Sequence, residues 1–474
     1  MEENKYLFEL ENLDNDERRE ARRLNRIKRK RRAWTALILG SVLILACIVA
    51  AIIVITRGDG HENLQVVSVS VITDNSEEIE SAIDNLSVAE DEVVVAPPEP
   101  VVYEPTEDEL LEDAVRNFVN TMTLEEKVAG IFVVTPESLT NVATVTRAGE
   151  GTKTAILQYP VGGIVYSEKN MTSQDQFMEV ISNTKSYAKY PTFFALDEEL
   201  GNTAFSSSMK NEETMKPAEI GALSDASIAY IQEEKIASYM SGLGLNLNMG
   251  IIADVVNTED SVMKDKSFGG DVEVTSNMTA KCVEVLDVYG MDAALKYFPG
   301  QGLANQLPES GRSVSVLTRE DFEKADMNSF KAGIDAGAGI LIVSHTIASD
   351  FSGEEVRCSA SKYVMTELLR KEYGYDNLVI MTDSLSKDAV ASYEESAEAC
   401  IASIKAGADM VLCPENFEEA YKGVLDAVNN GVIAKERIED SLVRIYKLKL
   451  KDKTIDEIVA MTPAETETET ETEE

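Results

Sequence analysis

The chain is poor in the residues that carry metal and redox chemistry. Only two histidines and five cysteines occur in 474 residues, and none of them has the spacing of a zinc site. No glycine-rich phosphate loop opens a helix in the sequence. Basic residues are also few, 44 against 84 acidic ones, which gives a formal net charge of −40. We therefore expect no metal, no cofactor, and no nucleic-acid partner for the acidic bulk of the chain.

The five cysteines do not indicate a disulfide framework. Cys282 and Cys400 fall on apolar faces of predicted helices, Cys413 in a predicted buried strand, and Cys358 in a loop before a helix. Cys47 belongs to a long apolar run near the N-terminus. Because buried cysteine behaves as a small apolar side chain, we expect mostly buried thiols, although the spacing also permits paired disulfides.

One segment, residues 33–56, has no charged residue at all. A helix that spans a membrane needs about 20 apolar residues. The preceding residues 18–32 hold ten basic residues in fifteen, whereas Arg57 is the only basic residue close behind the apolar run. The positive-inside rule then predicts a single-pass protein of the cell membrane. Residues 1–32 would be a basic cytoplasmic segment, residues 33–56 an uncleaved transmembrane helix, and the rest extracytoplasmic.

Three other interpretations of this region remain open. A cleaved signal peptide usually has a shorter apolar core, of about 7–15 residues. Cys47 suggests a lipoprotein signal, but apolar sequence continues for nine residues beyond it. The basic run could contact nucleic acid. Its position beside an apolar span favours a topology signal, with anionic-lipid contact.

Two further segments have compositions that cannot bury a hydrophobic core. Residues 57–105 are acidic, almost without aromatic residues, and end in a proline-containing stretch, which predicts an extended stalk. Residues 456–474 end in alternating glutamate and threonine and predict an acidic low-complexity tail. Residues 106–455 remain between them, a normal size for a barrel domain.

Residues 106–455 alternate short apolar runs with amphipathic stretches. The runs are continuously apolar, which is typical of strands buried on both faces of a parallel sheet. The predicted strands are 128–134, 161–166, 192–197, 245–250, 293–298, 339–345, 377–383 and 409–414. The predicted helices include 174–189, 226–240, 319–336, 361–373, 396–406 and 417–429. Eight strand–helix units predict an α/β fold of the TIM-like (β/α)8 barrel type, with a doubly wound sheet as the alternative.

Ionisable residues follow most of the predicted strands. They are Asp197, Glu198, Glu199, Asp254, Lys296, His345, Asp383 and Glu415. Each alone could simply cap a strand, but in a barrel the C-terminal strand ends converge on one face. A carboxylate-rich pocket suits the cleavage of glycosidic bonds, in which one carboxylate attacks the sugar and a proton donor assists the leaving oxygen. Asp254 is expected to brace a strand, and Tyr297 to pack against its neighbours.

A series of sequence blocks occurs in a fixed order along this segment. They are TMTLEEKVA (121–129), GGIV (162–165), ALDEELG (195–201), KSFGGD (266–271), LKYFPGQG (295–302), MTDSL (381–385) and AGADMVLCP (406–414). In this order the blocks resemble family 3 glycoside hydrolases, and the single-barrel bacterial β-N-acetylhexosaminidases in particular. The resemblance covers about residues 106–450 and implies a retaining mechanism on N-acetylglucosaminides.

The resemblance implies roles for five residues of this chain. Asp383 falls on the catalytic nucleophile at the end of the seventh strand. Lys296 falls on the lysine that binds sugar hydroxyls, and Asp197 on the substrate-binding aspartate after the third strand. Lys266 stands where an arginine is expected before the Ser-Phe-Gly block, and its ammonium cannot reproduce an arginine's fork. His345 keeps a family position near the pocket, so these last four residues are candidates for substrate binding.

Several expected residues are absent. The family motif lysine-histidine-phenylalanine-proline-glycine-histidine-glycine has lost both histidines, which are replaced by Tyr297 and Gln301. The arginine expected just after Asp197 and its neighbours is also missing. In the loop that carries the proton donor of this subfamily, Gly311 stands where the catalytic histidine is expected.

A substitute proton donor would therefore be needed. Losing a general acid typically costs about 10²–10⁴ in rate. Glu309, two residues before Gly311, is the first candidate for the acid, and Glu198 and Glu199 are alternatives.

Two functions follow from these residues. The first is a membrane-anchored extracytoplasmic glycoside hydrolase with a monomeric barrel, for which cell-wall glycan such as peptidoglycan is a candidate source of substrate. The second is a catalytically impaired carbohydrate-binding pseudoenzyme at the cell surface. The kept Asp383 favours the first function, and the lost histidines favour the second.

Overall fold

A computed structural model of the chain describes residues 105–202 and 213–462. No helix within these residues is long and apolar enough to cross a membrane. The predicted basic segment (1–32) and transmembrane helix (33–56) lie outside the described residues. So do the predicted stalk, apart from its last residue, and most of the acidic tail. These interpretations stay predictions.

The described chain forms a closed barrel of eight parallel strands, in which each strand pairs with the next along the sequence and β8 pairs with β1. The strands are β1 (Phe132–Val134), β2 (Gly163–Val165), β3 (Phe193–Leu196), β4 (Leu247–Ile252), β5 (Asp292–Phe298), β6 (Ile340–Val343), β7 (Val379–Ser384) and β8 (Met410–Leu412). All eight predicted strands and the TIM-like barrel are thereby confirmed. The doubly wound alternative is wrong, because such a sheet has two open edges.

The strands are buried on both faces, as their continuous apolar sequence predicts. Every residue of β4 and β5 is buried, including Lys296. Where β5 meets the surrounding helices, the ring of Phe298 packs edge-on against Phe322 and Phe330, with centroids 5.3 and 5.2 Å apart. Burial of such apolar surface contributes about 25 cal/mol per Å² and is the main source of stability.

Helices connect the strands. The α-helices are α1 (Glu107–Asn120), α2 (Leu124–Gly130), α3 (Pro136–Thr140), α4 (Glu150–Gln158), α5 (Gln174–Tyr187), α6 (Pro217–Ala222), α7 (Ala226–Gly242), α8 (Val272–Val288), α9 (Arg319–Lys324), α10 (Asp326–Asp335), α11 (Ser349–Ser352), α12 (Asp388–Ala391), α13 (Ser396–Ala406), α14 (Phe417–Asn429), α15 (Lys435–Lys449) and α16 (Ile455–Val459). Among the described residues, 3₁₀ turns lie at Glu168–Asn170, Pro308–Ser310 and Cys358–Ala360. A π-helix spans Tyr363–Glu372, where an α-helix is predicted.

Two predicted elements have different limits in the structure. The sequence predicts a first strand that begins at Val128, but that residue lies in helix α2, and the strand begins only at Phe132. The reason is a capping box, which starts a helix at this point. The side chain of Thr123 accepts a hydrogen bond from the backbone N–H of Glu126, and the side chain of Glu126 accepts one from the backbone N–H of Thr123. The predicted helix 319–336 is interrupted at Ala325, whose φ of −125° and ψ of −87° are not helical.

Ordered structure continues past residue 455, the predicted end of the barrel domain. Thr454 and Glu457 form a capping box that starts α16. This helix packs against α1 and buries Ile458. The first residues of the predicted acidic tail are therefore helical.

The four described cysteines are free thiols, so no disulfide occurs among them. Cys282, Cys358 and Cys400 are buried, as expected. Cys413 lies just after β8 and not within it, because the strand ends at Leu412.

A buried carboxylate, Asp409, joins three elements on the outer side of the barrel. It lies just before β8 and accepts hydrogen bonds from Arg370 Nη2 at 2.5 Å and Arg444 Nη1 at 3.1 Å. It also accepts from Ser441 Oγ at 2.8 Å and from the backbone N–H of Ile380 at 3.0 Å. The π-helix, β7 and α15 are thereby attached to the start of β8. A buried charge is tolerated only when it is paired in this way.

Replacing Asp409 with alanine should strongly destabilise the barrel. Breaking a buried ion pair leaves an uncompensated charge and typically costs about 3–5 kcal/mol. Urea unfolding followed by circular dichroism measures the loss. The matched control is Asp426→Ala, whose partner Lys422 is exposed and whose loss should change the free energy of unfolding little. A loss in D409A no larger than that in D426A would contradict this role.

Candidate active site

Two groups of oppositely charged side chains lie at the carboxyl ends of the strands. The Asp383 cluster consists of Asp383, Lys387 and Glu309. The Lys296 cluster consists of Lys296, Asp197, Glu199 and Lys266. The structure thus brings five of the six predicted site residues into two ion-paired groups, and the sixth, His345, lies against the backbone that follows Asp383.

Asp383 lies near the end of β7 and is almost fully buried. Its Oδ1 accepts a hydrogen bond from the backbone N–H of Ser384 at 2.8 Å, and its Oδ2 lies 2.7 Å from Nζ of Lys387. Burial alone would raise the pKa of Asp383, but the ammonium of Lys387, together with His345 and the backbone N–H of Ser384, holds that pKa below its ordinary value. Asp383 is therefore ionised at neutral pH, the form that a carboxylate nucleophile requires.

Glu309 lies on the turn Pro308–Ser310, and its side chain is half exposed. Its Oε1 is 2.7 Å from Nζ of Lys387, the same distance as Oδ2 of Asp383. Because both oxygens contact one nitrogen, they cannot be farther apart than twice that length. This upper limit on the separation of the two contacting oxygens is compatible with the closer of the two carboxyl spacings of glycoside hydrolysis, about 5–5.5 Å for retention against about 6.5–9.5 Å for inversion.

In the Lys296 cluster, a buried ammonium is shared by two carboxylates. Nζ of Lys296 lies 2.5 Å from Oδ1 of Asp197 and 2.7 Å from Oε1 of Glu199. Lys266 contacts the other oxygen of Glu199 at 2.9 Å. Burial opposes ionisation, yet the ammonium groups of Lys296 and Lys266 lower the pKa of Glu199 to about 2. The side chain of Asp197 is 49% exposed, so the cluster presents charged hydrogen-bonding groups to solvent, as a sugar-hydroxyl site would.

The ring of Tyr297 lies between the two clusters. Its centroid is 5.0 Å from Nζ of Lys296 and 4.9 Å from Nζ of Lys387, within the range of cation–π attraction. Burial raises the pKa of the Tyr297 hydroxyl above its ordinary value. The ring is buried, so the predicted packing role of Tyr297 is confirmed. The peptide bonds Lys296–Tyr297 and Phe298–Pro299 are both cis.

Both ring nitrogens of His345 contact protein groups. Nε2 lies 2.9 Å from the carbonyl oxygen of Ser384, and Nδ1 lies 2.6 Å from Oγ of Ser359. A carbonyl only accepts, so Nε2 carries the proton and Nδ1 accepts from the serine hydroxyl. Burial lowers the pKa of His345 to about 4, which leaves the ring neutral at neutral pH. His345 therefore holds the backbone directly after Asp383. Its predicted contact with substrate stays a prediction.

Asp254 braces the segment that follows β5, as predicted. It accepts backbone hydrogen bonds from Tyr297 at 3.2 Å and from Gln301. The amide of Gln301, which stands in a histidine position of the family motif, donates to Oγ of Ser344 at 2.8 Å. Gln301 thus fastens this segment to the end of β6.

Asn248, a buried polar residue of β4, fixes the backbone between Asp197 and Glu199. Its Oδ1 accepts from the N–H of Glu198 at 3.1 Å, and its Nδ2 donates to the carbonyl of Glu198 at 3.2 Å and to Oε1 of Glu233 at 2.9 Å. Gly250 allows this approach, because a Cβ there would lie 1.9 Å from the same carbonyl oxygen. The backbone that carries the two carboxylates of the Lys296 cluster is therefore held from β4.

These contacts argue against Glu198 and Glu199 as substitutes for the lost acid. Glu198 is fully buried, and its carboxylate accepts a hydrogen bond from the hydroxyl of Tyr239. Glu199, with a pKa near 2, holds no proton at neutral pH. Glu309 remains as the candidate that lies beside Asp383.

Three residues of the site carry little sequence signal. Lys387 lies in the turn between β7 and α12, and because Asp383 is on a strand, the four-residue spacing of the pair carries no helical signal. Asn248 is a polar residue in an otherwise apolar strand. Glu233 of α7 has no sequence signal at all. Within the part of the chain that the structure describes, no three His, Cys, Asp or Glu side chains are grouped as metal ligands.

We expect Glu233 to make the stability of the fold depend on pH. Burial raises the pKa of Glu233 from 4.5 to about 8. The nearby charge of Glu198 also raises this pKa, whereas the hydrogen bond from Asn248 lowers it. The folded chain therefore keeps a proton that the unfolded chain releases. The stabilisation is full below about pH 4.5, falls as the pH rises, and is lost by about pH 8, with a slope of at most about 1.4 kcal/mol per pH unit.

Glu233→Gln keeps the shape and the bond to Asn248 but cannot titrate. Urea unfolding of both chains at several pH values between about 5 and about 8 measures the effect. The stability of the variant relative to the native chain should rise steadily across this range. Parallel pH dependences in the two chains would contradict the assignment.

Residues 123–448 match the sequence model of the Glycosyl hydrolase family 3 N terminal domain. The chain is similar to a beta-hexosaminidase A of Pseudoalteromonas piscicida, at 25% identity over 332 residues, which are 62% of this chain and 54% of that protein. It is also similar to a beta-N-acetylglucosaminidase/beta-glucosidase of Cellulomonas fimi, at 24% identity over 301 residues, 61% of this chain and 52% of that one. The chain spans about half the length of these two relatives.

The barrel is also similar to a solved structure, the beta-N-acetylhexosaminidase from Beutenbergia cavernae. The TM-score is 0.61 at 23% sequence identity, and the match covers 69% of this chain and 98% of that one. At this identity the similarity supports the fold alone.

Proposed function

Because the chain belongs to glycosyl hydrolase family 3, we propose that it is a glycoside hydrolase of the β-N-acetylhexosaminidase type that acts on N-acetylglucosaminides. The observation that carries the proposal is Asp383, a buried and ionised carboxylate at the end of β7 with Glu309 held close to it. The printed names of the curated relatives support the sugar class.

In the first step, Asp383 attacks the anomeric carbon of the sugar. The bond from that carbon to the leaving oxygen breaks, and an ester forms between the sugar and Asp383. The leaving oxygen takes a proton from Glu309 in its acid form, or departs without one if the leaving group is a good one. Lys296 and Asp197 bind hydroxyls of the same sugar from the other cluster.

In the second step, water attacks the anomeric carbon of the ester. Glu309 as a carboxylate accepts a proton from that water, and the ester bond breaks to restore the carboxylate of Asp383. Two displacements on one carbon retain its configuration, which is the outcome that the short spacing of Asp383 and Glu309 supports.

We also propose that the barrel acts outside the cell as a monomer, tethered by a transmembrane helix at residues 33–56. The uncharged run and the basic residues before it support this placement. Glycan of the cell wall, such as peptidoglycan, is then the substrate within reach. The chain should remain in the membrane fraction after an alkaline carbonate wash, and its release by that wash would contradict the tether.

The second candidate function is a carbohydrate-binding pseudoenzyme. Two observations favour it. Gly311 has no side chain to donate a proton where the family motif has a histidine, and the ammonium of Lys387 is paired with Asp383. In this case the Lys296 cluster would still bind sugar without turnover.

Replacing Asp383 with asparagine should abolish hydrolysis of two β-N-acetylglucosaminides by the full chain in detergent. One substrate has a dinitrophenyl leaving group that departs without protonation, and the other has a sugar leaving group. Loss of the nucleophile should lower the rate on both by about a thousandfold or more. Glu309→Gln should lower kcat/KM for the second substrate only, by about a hundredfold, because only that leaving group needs a proton in the first step.

Glu320→Gln is the matched control, since Glu320 is exposed and paired with Lys324 away from the site. Asp383-dependent cleavage of both substrates would support a working hydrolase. Cleavage of the dinitrophenyl substrate alone would indicate a functional nucleophile and no functional acid. Sugar binding without Asp383-dependent cleavage of either would favour the pseudoenzyme.

A further inference from the structure

The ammonium of Lys387 occupies the space between the proposed nucleophile, Asp383, and the proposed acid, Glu309. Its Nζ lies 2.7 Å from Oδ2 of Asp383 and 2.7 Å from Oε1 of Glu309. The ring of Tyr297 closes a third side, with its centroid 4.9 Å away. The side chain is only 14% exposed. Lys387 precedes helix α12, which packs against the turn that carries Glu309.

Lys387 cannot itself replace the lost acid. Burial works against its charge, but Asp383 and the other groups around it raise the pKa of Lys387 well above its ordinary value. An amine that keeps its proton so firmly is a poor donor, since a useful catalytic group has a pKa near the working pH. The role of Lys387 therefore lies in what its charge does to the two carboxylates.

The position of this ammonium conflicts with the proposed reaction. In a retaining hydrolase the glycosidic bond lies between the nucleophile and the acid, and in this chain Lys387 lies there. Glu309 is held as the ion-pair partner of Lys387, so its carboxyl oxygen contacts an ammonium and not a leaving oxygen. The carboxylate of Asp383 forms an ion pair with the same ammonium. All three effects oppose the first step.

We propose that Lys387 is a positioning residue that keeps the site in a resting state, and that a sugar must displace its ammonium from between Asp383 and Glu309 in order to bind. This inference rests on the proposed function, because it takes those two residues as nucleophile and acid. Without the ammonium, two carboxylates remain close together, and such a pair retains a proton on one member. Displacement thus makes room for the sugar and supplies the proton donor.

The inference also identifies a class of ligand that competes directly with Lys387. An iminosugar carries a protonated ring nitrogen where a sugar carries its ring oxygen, so its cation can take the place of the lysine ammonium between the two carboxylates. Neutral N-acetylglucosamine must displace the ammonium as well, but it offers no charge in return. Both ligands should therefore gain affinity when Lys387 loses its charge.

The test is calorimetric titration of the full chain in detergent with an N-acetylated iminosugar and with N-acetylglucosamine. Lys387→Met keeps most of the side-chain length without the charge, and Lys387→Gln is a second uncharged variant in case the first does not fold. Lys387→Arg keeps a cation in place. Lys371→Met, at an exposed lysine paired with Glu367, is the matched control. Turnover of the two glucosaminides is measured in parallel.

We expect the uncharged variants to bind both ligands about tenfold more tightly or better, and the Arg and Lys371 variants to bind as the native chain does. Turnover of the substrate with the sugar leaving group should also rise about tenfold, because the acid is restored. Unchanged or weaker binding of the neutral sugar would overturn the proposal for Lys387, whatever the turnover. Tighter binding of both ligands without Asp383-dependent turnover in any chain would support the role of Lys387 and overturn the hydrolase.

Discussion

The structure of the site depends on neutralising two ammonium groups that the barrel buries. A charge removed from water is tolerated only with close counter-charges and hydrogen bonds. Lys296, at 1% exposure, has two carboxylates within 2.7 Å, and Lys387 has two more at the same distance. Each ammonium thereby fixes the positions of the carboxylates around it. The ring of Tyr297 adds its negative face to both.

The supporting contacts serve the same arrangement. Asn248 holds the backbone at Glu198, which places the carboxylates on either side of that residue against Lys296. His345 holds the backbone after Asp383 through the carbonyl of Ser384. Gln301, in a position where the family motif has histidine, joins the end of β5 to Ser344. These side chains are used within the protein, so the chemistry available to a ligand lies in the two charged clusters.

Most of the fold could be predicted from the sequence, because eight strands buried on both faces leave continuous apolar runs. The predicted limits of an element are wrong where a local interaction determines the backbone conformation. At Val128, the capping box of Thr123 and Glu126 starts a helix in an apolar run that also suits a strand. Asp383 could be placed at the carboxyl end of β7 because a strand end faces the same way in every barrel. Lys387 and Glu233 could not be predicted as partners in the site. The contacts of Lys387 depend on a turn and those of Glu233 on helix packing, and neither leaves a periodic signal in the sequence.

The central claim is that the carboxylate of Asp383 forms a covalent bond with the sugar. A fluorinated N-acetylglucosaminide with a good leaving group slows breakdown of such an ester, and mass spectrometry of the intact chain and of its peptides then locates the label. The account predicts one added glycosyl group on the peptide that contains Asp383, and no label in Asp383→Asn. A label on another residue, or equal labelling of that variant, would contradict it.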